Sequence, residues 1–394
     1  MKIMLFTTGR VINAAGGTEK VLFEMANNLS KRGHEVTVLA FENKKGLPFF
    51  HMDKGVNFIN AGEGYTESKF YINLVAFFYL TRDKRFKVRY NIRAKNRGKK
   101  ILPIINNIKP DIIIAYDVNA NCLIKDFFKV KIPVITMFHF DPITLFNAYK
   151  GWVLETLKYC ECIQVLCNSY VEMVEKCLQH DNVKCIPNIV KQNVISADLE
   201  NKVIINIARV NREQKRQHII IEAFNKILKD STPPCLLSEW KIEIWGETNL
   251  DIEYTNELKN LIQKYRLEDK VRFCGTTNNV IKELQRASIF AFPSAYEGFP
   301  LAMTEAMSLG IPAVGYKSCP GVNEIINDNV NGILCDDGID SFAEALKKLM
   351  SDYDYRLKLG KQAKKDMEKY APEIIWDKWE NLIREIVANY KNKK

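Results

Sequence analysis

The chain has 394 residues, 47% of them hydrophobic, and 57 Lys and Arg against 47 Asp and Glu leave a formal charge of +10. That length and apolar content suffice for large cores and favour two domains over one. The charge permits an anionic partner (a nucleotide diphosphate, nucleic acid or an acidic membrane surface), while ten cysteines without a CxxC pair argue against a disulfide framework or a zinc site and for reduced thiols.

Residues 3–7 read as a buried strand. The apolar part of residues 1–9 is too short for a signal peptide, so a cytoplasmic protein is expected. Gly16 and Gly17 follow in a loop, and Thr18 is placed to cap a helix with Val21, Leu22, Met25, Ala26 and Leu29 on one face, ended by Gly33. Residues 35–41 form the next strand, and the apolar run 74–80 is too short to span a bilayer. Further strands are expected at 111–115, 133–138 and 162–167, with helical stretches between them. This alternation predicts a parallel sheet covered on both faces.

Residues 191–202 are polar and read as a linker. A second alternation follows, with strands at 203–208, 241–245, 271–273 and 289–292 and helices near 217–229, 254–265 and 280–286. The final stretch, 372–390, is helical by its apolar spacing, which includes Trp376 and Trp379. The expected organisation is a first domain over 1–190, a second over 191–371 and a C-terminal helix over 372–394.

The segment from Glu297 to Met307 carries the most functional information. Pro293 and Ser294 end an apolar strand, and Pro300 suits the start of a helix stopping at Gly310. One carboxylate, Glu297, therefore lies in the loop at a strand's carboxyl end, and Glu305 lies inside the following helix. Open parallel sheets bind ligands at such ends, helix N-termini attract phosphate, and carboxylates accept hydrogen bonds from paired sugar hydroxyls. Arg209 and Lys215 follow the first strand of the second domain, where two cations can hold a diphosphate and stabilise it as a leaving group.

With these residues the chain resembles the retaining glycosyltransferases of family 4, among them those of bacterial surface-polysaccharide and lipid-linked-oligosaccharide assembly. The likeness rests on Gly16-Gly17 with Glu19, on Arg209 and Lys215, on the 297–305 segment, on the run 310–314, and on the run 321–326 leading to Asn331-Gly332. It implies the GT-B fold: α/β, two doubly wound Rossmann-like domains facing a cleft, with the C-terminal helix crossing back to the first domain, which binds the acceptor. It also implies roles. Arg209 and Lys215 would bind the donor diphosphate, Glu305 the ribose hydroxyls, and Glu297 the transferred sugar, with the amides of Gly298, Phe299 and Leu301 nearby. Gly16 and Gly17 would let the first-domain loop approach the phosphates, and Gly275, Asn279 and Val280 would border the base. His139, after a first-domain strand, would contact the donor sugar. The donor implied is a nucleotide sugar, most often UDP-linked, transferred as a hexose or N-acetylhexosamine to a growing glycan.

Departures from the family pattern are a single glycine, Gly246, after the second-domain strand at 241–245, Arg216 where glycine is frequent, and Gly321-Val322 in place of a glycine pair. No cofactor or metal is expected. Asp352-Tyr353-Asp354 has a metal-binding form but lies between helices and reads as a helix cap. His34, His51, His180 and His218 read as structural or peripheral. Between Phe70 and Lys100, an aromatic-aliphatic run leads into Arg82, Lys84, Arg85, Lys87, Arg89, Arg93, Lys95, Arg97, Lys99 and Lys100, balanced only by Asp83. That pattern suits peripheral contact with an anionic membrane at the inner face, where a polyprenyl-diphosphate-linked acceptor would lie. Nothing accompanies it that would favour nucleic acid. Two other readings stay open: a dinucleotide-dependent oxidoreductase using Glu42 on a ribose, which lacks the GxGxxG loop, and an inactive sugar-binding or scaffold protein on the same fold.

Overall fold

A computed structural model of the chain describes residues 1–14, 16–78, 81–230 and 237–393. The chain divides into two compact units, residues 1–186 with 376–394 and residues 187–375.

The first unit is built on a seven-stranded parallel sheet: β1 (Lys2–Thr7), β2 (Glu35–Ala40), β3 (Val56–Asn60), β4 (Ile112–Ala115), β5 (Val134–Met137), β6 (Cys162–Val165) and β7 (Val183–Cys185), in the order β3-β2-β1-β4-β5-β6-β7. Runs such as Ile112-Ile113-Ile114 are apolar without alternation because helices cover both faces of the sheet. Helix α1 (Gly17–Lys31) packs Val21, Leu22, Met25, Ala26 and Leu29 inward, as its spacing dictates. It starts two residues earlier than expected. Gly16 is the N-cap and Thr18 lies in the first turn, because no side chain caps this end. Helix α2 (Lys69–Phe77) is followed by α3 (Arg82–Ile108), whose first turn is closed by Thr81 accepting from Lys84 N at 3.3 Å. The apolar run expected over 74–80 partly lies outside the described residues.

The second unit holds a six-stranded parallel sheet: β8 (Val203–Ile207), β9 (Lys241–Trp245), β10 (Val271–Gly275), β11 (Ile289–Phe292), β12 (Ala313–Tyr316) and β13 (Gly332–Cys335), in the order β10-β9-β8-β11-β12-β13. Both units are thus α/β and doubly wound. In each, the strand order reverses at one place, between β1 and β4 and between β8 and β11. Such switch points open a crevice at the strands' carboxyl ends.

One expectation needs correction. Residues 191–202 are not a free linker: Ala197 N donates to Leu309 O at 2.8 Å, Asp198 N donates to Gln285 O at 3.2 Å, and Leu199 is buried. Polar composition misled here because the segment packs through its backbone. The helix Pro372–Asn392 carries its residues from Trp376 onward into the first unit, with Arg32 bonded to Asp377 at 2.7 Å and His34 to Glu380 at 3.0 Å.

Candidate functional site

At the β8/β11 switch point, Arg209 and Lys215 follow β8 and Glu297 follows β11. Lys215 Nζ lies 2.5 Å from Glu297 Oε1, with both side chains nearly enclosed, and 5.1 Å from the Phe292 ring centre. A charge-assisted bond in so little water fixes both groups firmly. Arg209 is oriented by Gln214, whose Oε1 accepts from an Arg209 Nη at 2.9 Å while its Nε2 donates to Tyr296 O at 3.0 Å. Gln214 thereby ties the cationic loop to the loop carrying Glu297, as does Ala295 N donating to Gln214 O at 2.8 Å. Arg216 sits in the left-handed region at φ 49°, which accounts for glycine being frequent there. It is retained by a bond to Pro293 O at 2.9 Å and by stacking over Tyr316 at 5.0 Å.

The Glu297 loop is shaped from two sides. Gly321, at φ 81°, would put a Cβ 2.8 Å from Glu297 O, so the close approach needs glycine. Pro300 (φ −78°, ψ 78°) makes an inverse γ-turn in which Leu301 N donates to Phe299 O at 2.9 Å. The Leu301 amide, expected near a ligand, is therefore already engaged within the loop. Phe299 is buried edge-on against Tyr370. Gly298 stands between Glu297 and Phe299, and Glu305 is half-buried one turn into the helix Leu301–Ser308. Gly275 ends β10 at φ 73°, and Asn279 caps the helix Val280–Leu284 by accepting from Lys282 N at 3.2 Å. β10, which Gly275 ends, lies two strands from β8, roughly 10 Å away. Gly246 is demanded by packing: at φ 145°, a Cβ there would overlap Ala208 O at 2.0 Å.

The β1/β4 switch point of the first unit holds a cavity of about 590 Å³, within the range of small-molecule sites. His139, Tyr116 and Tyr149 line it with Arg10, Glu19 and apolar residues including Leu22, Met137 and Leu145. His139 stacks on Tyr116 with centroids 4.9 Å apart, and its enclosed Nε2 has no hydrogen-bond partner among the described residues. Burial lowers its pKa to about 4, so the ring is neutral near pH 7, and burial pushes Tyr149 up to about 12. Gly16 and Gly17 open α1 beside it. A Cβ on Gly16 would meet the end of the Glu19 side chain, which would have to swing aside.

Two carboxylates that sequence reasoning missed or misassigned hold the rim of this cavity. Asp117 accepts from Thr8 N at 2.7 Å, Thr8 Oγ1 at 2.8 Å, Thr7 Oγ1 at 3.2 Å and Ala120 N at 2.8 Å. Its position just after a strand and before a helix was the available signal. Glu42, weighed as a ribose-binding acid, instead accepts from Val11 N at 2.7 Å and Ile12 N at 2.8 Å through one oxygen. It is a clamp on the loop after β1. Gln214 offered no sequence signal.

Other residues have structural employment. Asp352 caps the helix Tyr353–Asp366, accepting from Tyr355 N at 2.8 Å. His180 contacts Cys160 O at 3.0 Å, His218 contacts the Tyr254 hydroxyl at 2.7 Å, and exposed His51 pairs with Asp53 at 3.0 Å. The cysteines of the described residues are free thiols, mostly buried.

Comparison with known proteins matches residues 15–193 to the family model "Glycosyltransferase Family 4" and residues 188–366 to "Glycosyl transferases group 1". An uncharacterised glycosyltransferase of Haemophilus influenzae is 26% identical over 94% of this chain and 97% of its own. The amylovoran biosynthesis glycosyltransferase AmsD of Erwinia amylovora is 23% identical over 97% of this chain and 99% of its own. The solved structure of HepE from Anabaena in complex with UDP and glucose superposes with a TM-score of 0.71 at 17% identity, covering 98% of this chain and all of that one. The fold is therefore GT-B.

Proposed function

The chain belongs to the glycosyltransferases built from a Family 4 and a group 1 domain, and from that premise we propose that it moves a hexose or N-acetylhexosamine from a UDP-sugar to a growing glycan, with retention of configuration and without a metal. The observation that carries the reading is the Lys215–Glu297 pair, held beside Arg209 where the second sheet reverses its strand order. Arg209 and Lys215 supply the positive charge that a departing diphosphate needs. Glu297 accepts from hydroxyls of the transferred sugar, and Glu305 from the ribose. Gly275, Asn279 and Val280 border the base while its diphosphate meets the cations. His139, neutral in its pocket, offers Nε2 to the sugar. In a retaining transfer the acceptor hydroxyl attacks from the face the diphosphate leaves, and the leaving phosphate oxygen takes its proton. No protein base is then required.

The names of similar proteins support both the donor and the setting: one is bound to UDP and glucose, and another serves amylovoran biosynthesis. The acceptor is accordingly a glycan on a polyprenyl diphosphate, of the O-antigen or capsule kind, at the inner membrane face. Among the described residues, no helix is long and apolar enough to cross a membrane. A panel of UDP-sugars scored by UDP release tests the proposal. Glu297→Ala and Lys215→Ala are each expected to lose about a hundredfold or more in turnover, and wild-type turnover should persist in chelator. Unchanged turnover in both variants would remove the assignment.

A further inference from the structure

Helix α2 exposes one face that the described residues leave uncovered. Phe70, Leu74 and Phe77 recur at helical spacing, and Phe78 follows in the next turn. Their exposures are 79%, 48%, 68% and 77%, whereas Ile72 and Ala76 on the opposite face are buried. Four large apolar side chains standing together in water are unusual for a protein surface without a partner.

The start of α3 supplies the charge beside them. Lys84 and Lys87 are exposed there, and the nearby acid, Asp83, is paired with Lys150 at 3.3 Å. Farther along, Arg93 and Arg97 meet Glu67, and Lys100 lies over the Tyr65 ring at 5.8 Å, while Lys95 and Lys99 stay exposed. The start of α3 is the part of the basic stretch that meets the aromatics, with Arg85 over the Phe77 ring at 5.8 Å.

We propose that this aromatic face with its flanking lysines docks the protein on an anionic lipid bilayer, the phenyl rings entering the headgroup boundary and the lysines meeting lipid phosphates. This rests on the reading that the acceptor is lipid-linked, and it identifies the surface that brings the protein to it. A second copy of the chain fits poorly, because a two-fold contact would set the patch against itself and bring like charges together. Aromatic insertion beside cations is the arrangement that interfacial helices use.

The test is co-sedimentation of the full chain with vesicles of phosphatidylglycerol and phosphatidylcholine, against phosphatidylcholine alone. Wild type should bind the anionic vesicles, less so in high salt. Lys84→Gln with Lys87→Gln should weaken binding roughly twenty-five-fold, at about fivefold per cation. Phe77→Ser with Phe78→Ser should weaken it at every salt concentration. Both double variants should keep the wild-type melting temperature and UDP release by donor hydrolysis. Unchanged vesicle binding in both, equal wild-type binding to neutral vesicles, or concentration-dependent dimerisation lost in the Phe variant would overturn the proposal. Donor hydrolysis is scored separately: its absence in wild type would count against the transferase reading, and vesicle binding would still decide the docking surface.

Discussion

Lys215 and Glu297 form a nearly enclosed ion pair, 2.5 Å apart. Removing one partner takes this contact from the other, which at buried pairs costs about 3–5 kcal/mol, whereas exchanging both for apolar residues of similar size is often close to neutral. Lys215→Ala should therefore lower stability by about 3 kcal/mol in chemical denaturation. Lys215→Met combined with Glu297→Leu should recover most of that loss while turnover stays abolished. If the double variant recovered turnover too, the pair would be structural only.

His139 gives a prediction in pH. Its folded pKa, depressed by burial to about 4, lies below the value near 6.5 of an unfolded chain. Between those values the unfolded state binds more protons, so this residue's contribution is present above about pH 6.5 and is lost as pH falls toward 4. The melting temperature of His139→Phe should fall less than wild type over that window. Parallel curves would show that the ring is not buried neutral.

At the scale of elements, the loops around the second switch point depend on two glycines that sequence alone presented as departures from a family pattern. Gly246→Ala would force a Cβ onto Ala208 O and push the end of β9 from the loop bearing Arg209, and Gly321→Ala would press on the Glu297 carbonyl. Each should cost about 1–3 kcal/mol from backbone strain, more for Gly246 because of its closer contact. Thermal unfolding measures this, and a change below a few tenths of a kcal/mol in both would contradict the packing described.

Elements were unequally legible for related reasons. β1, β4, β8 and β11 are mainly apolar runs, β8 interrupted only by Asn206, since neighbours cover both faces and both edges. β3 reads Val-Asn-Phe-Ile-Asn, and β7 has three residues. Both are edge strands with one hydrogen-bonded neighbour, and their mixed composition hides them. The charged pair was visible as residue types at two strand ends. The clamps of Glu42 on Val11 and Ile12 and of Asp117 on Thr7 and Thr8 were not. They join carboxylates to backbone amides and hydroxyls far away in the chain, which no local pattern records.

Over the whole molecule, each of the two parallel sheets reverses its strand order once, and each reversal carries polar residues at the carboxyl ends. Alternating strands and helices made that architecture readable in advance, and the two units describe the same doubly wound plan with different furnishings. One reversal offers an apolar-lined cavity with a neutral histidine, and the other offers fixed cations beside a carboxylate. With Glu42 committed to backbone amides, a dinucleotide has no carboxylate waiting for its ribose in the first unit at that position.

The most direct measurement is calorimetric titration of the full chain with UDP and, separately, with NAD. UDP should bind wild type and weaken about tenfold or more in Lys215→Met, the loss expected when a charge-assisted phosphate contact is removed, and NAD should not bind. NAD binding in place of UDP, or UDP affinity unchanged in Lys215→Met, would contradict the assignment of the second switch point as the donor site.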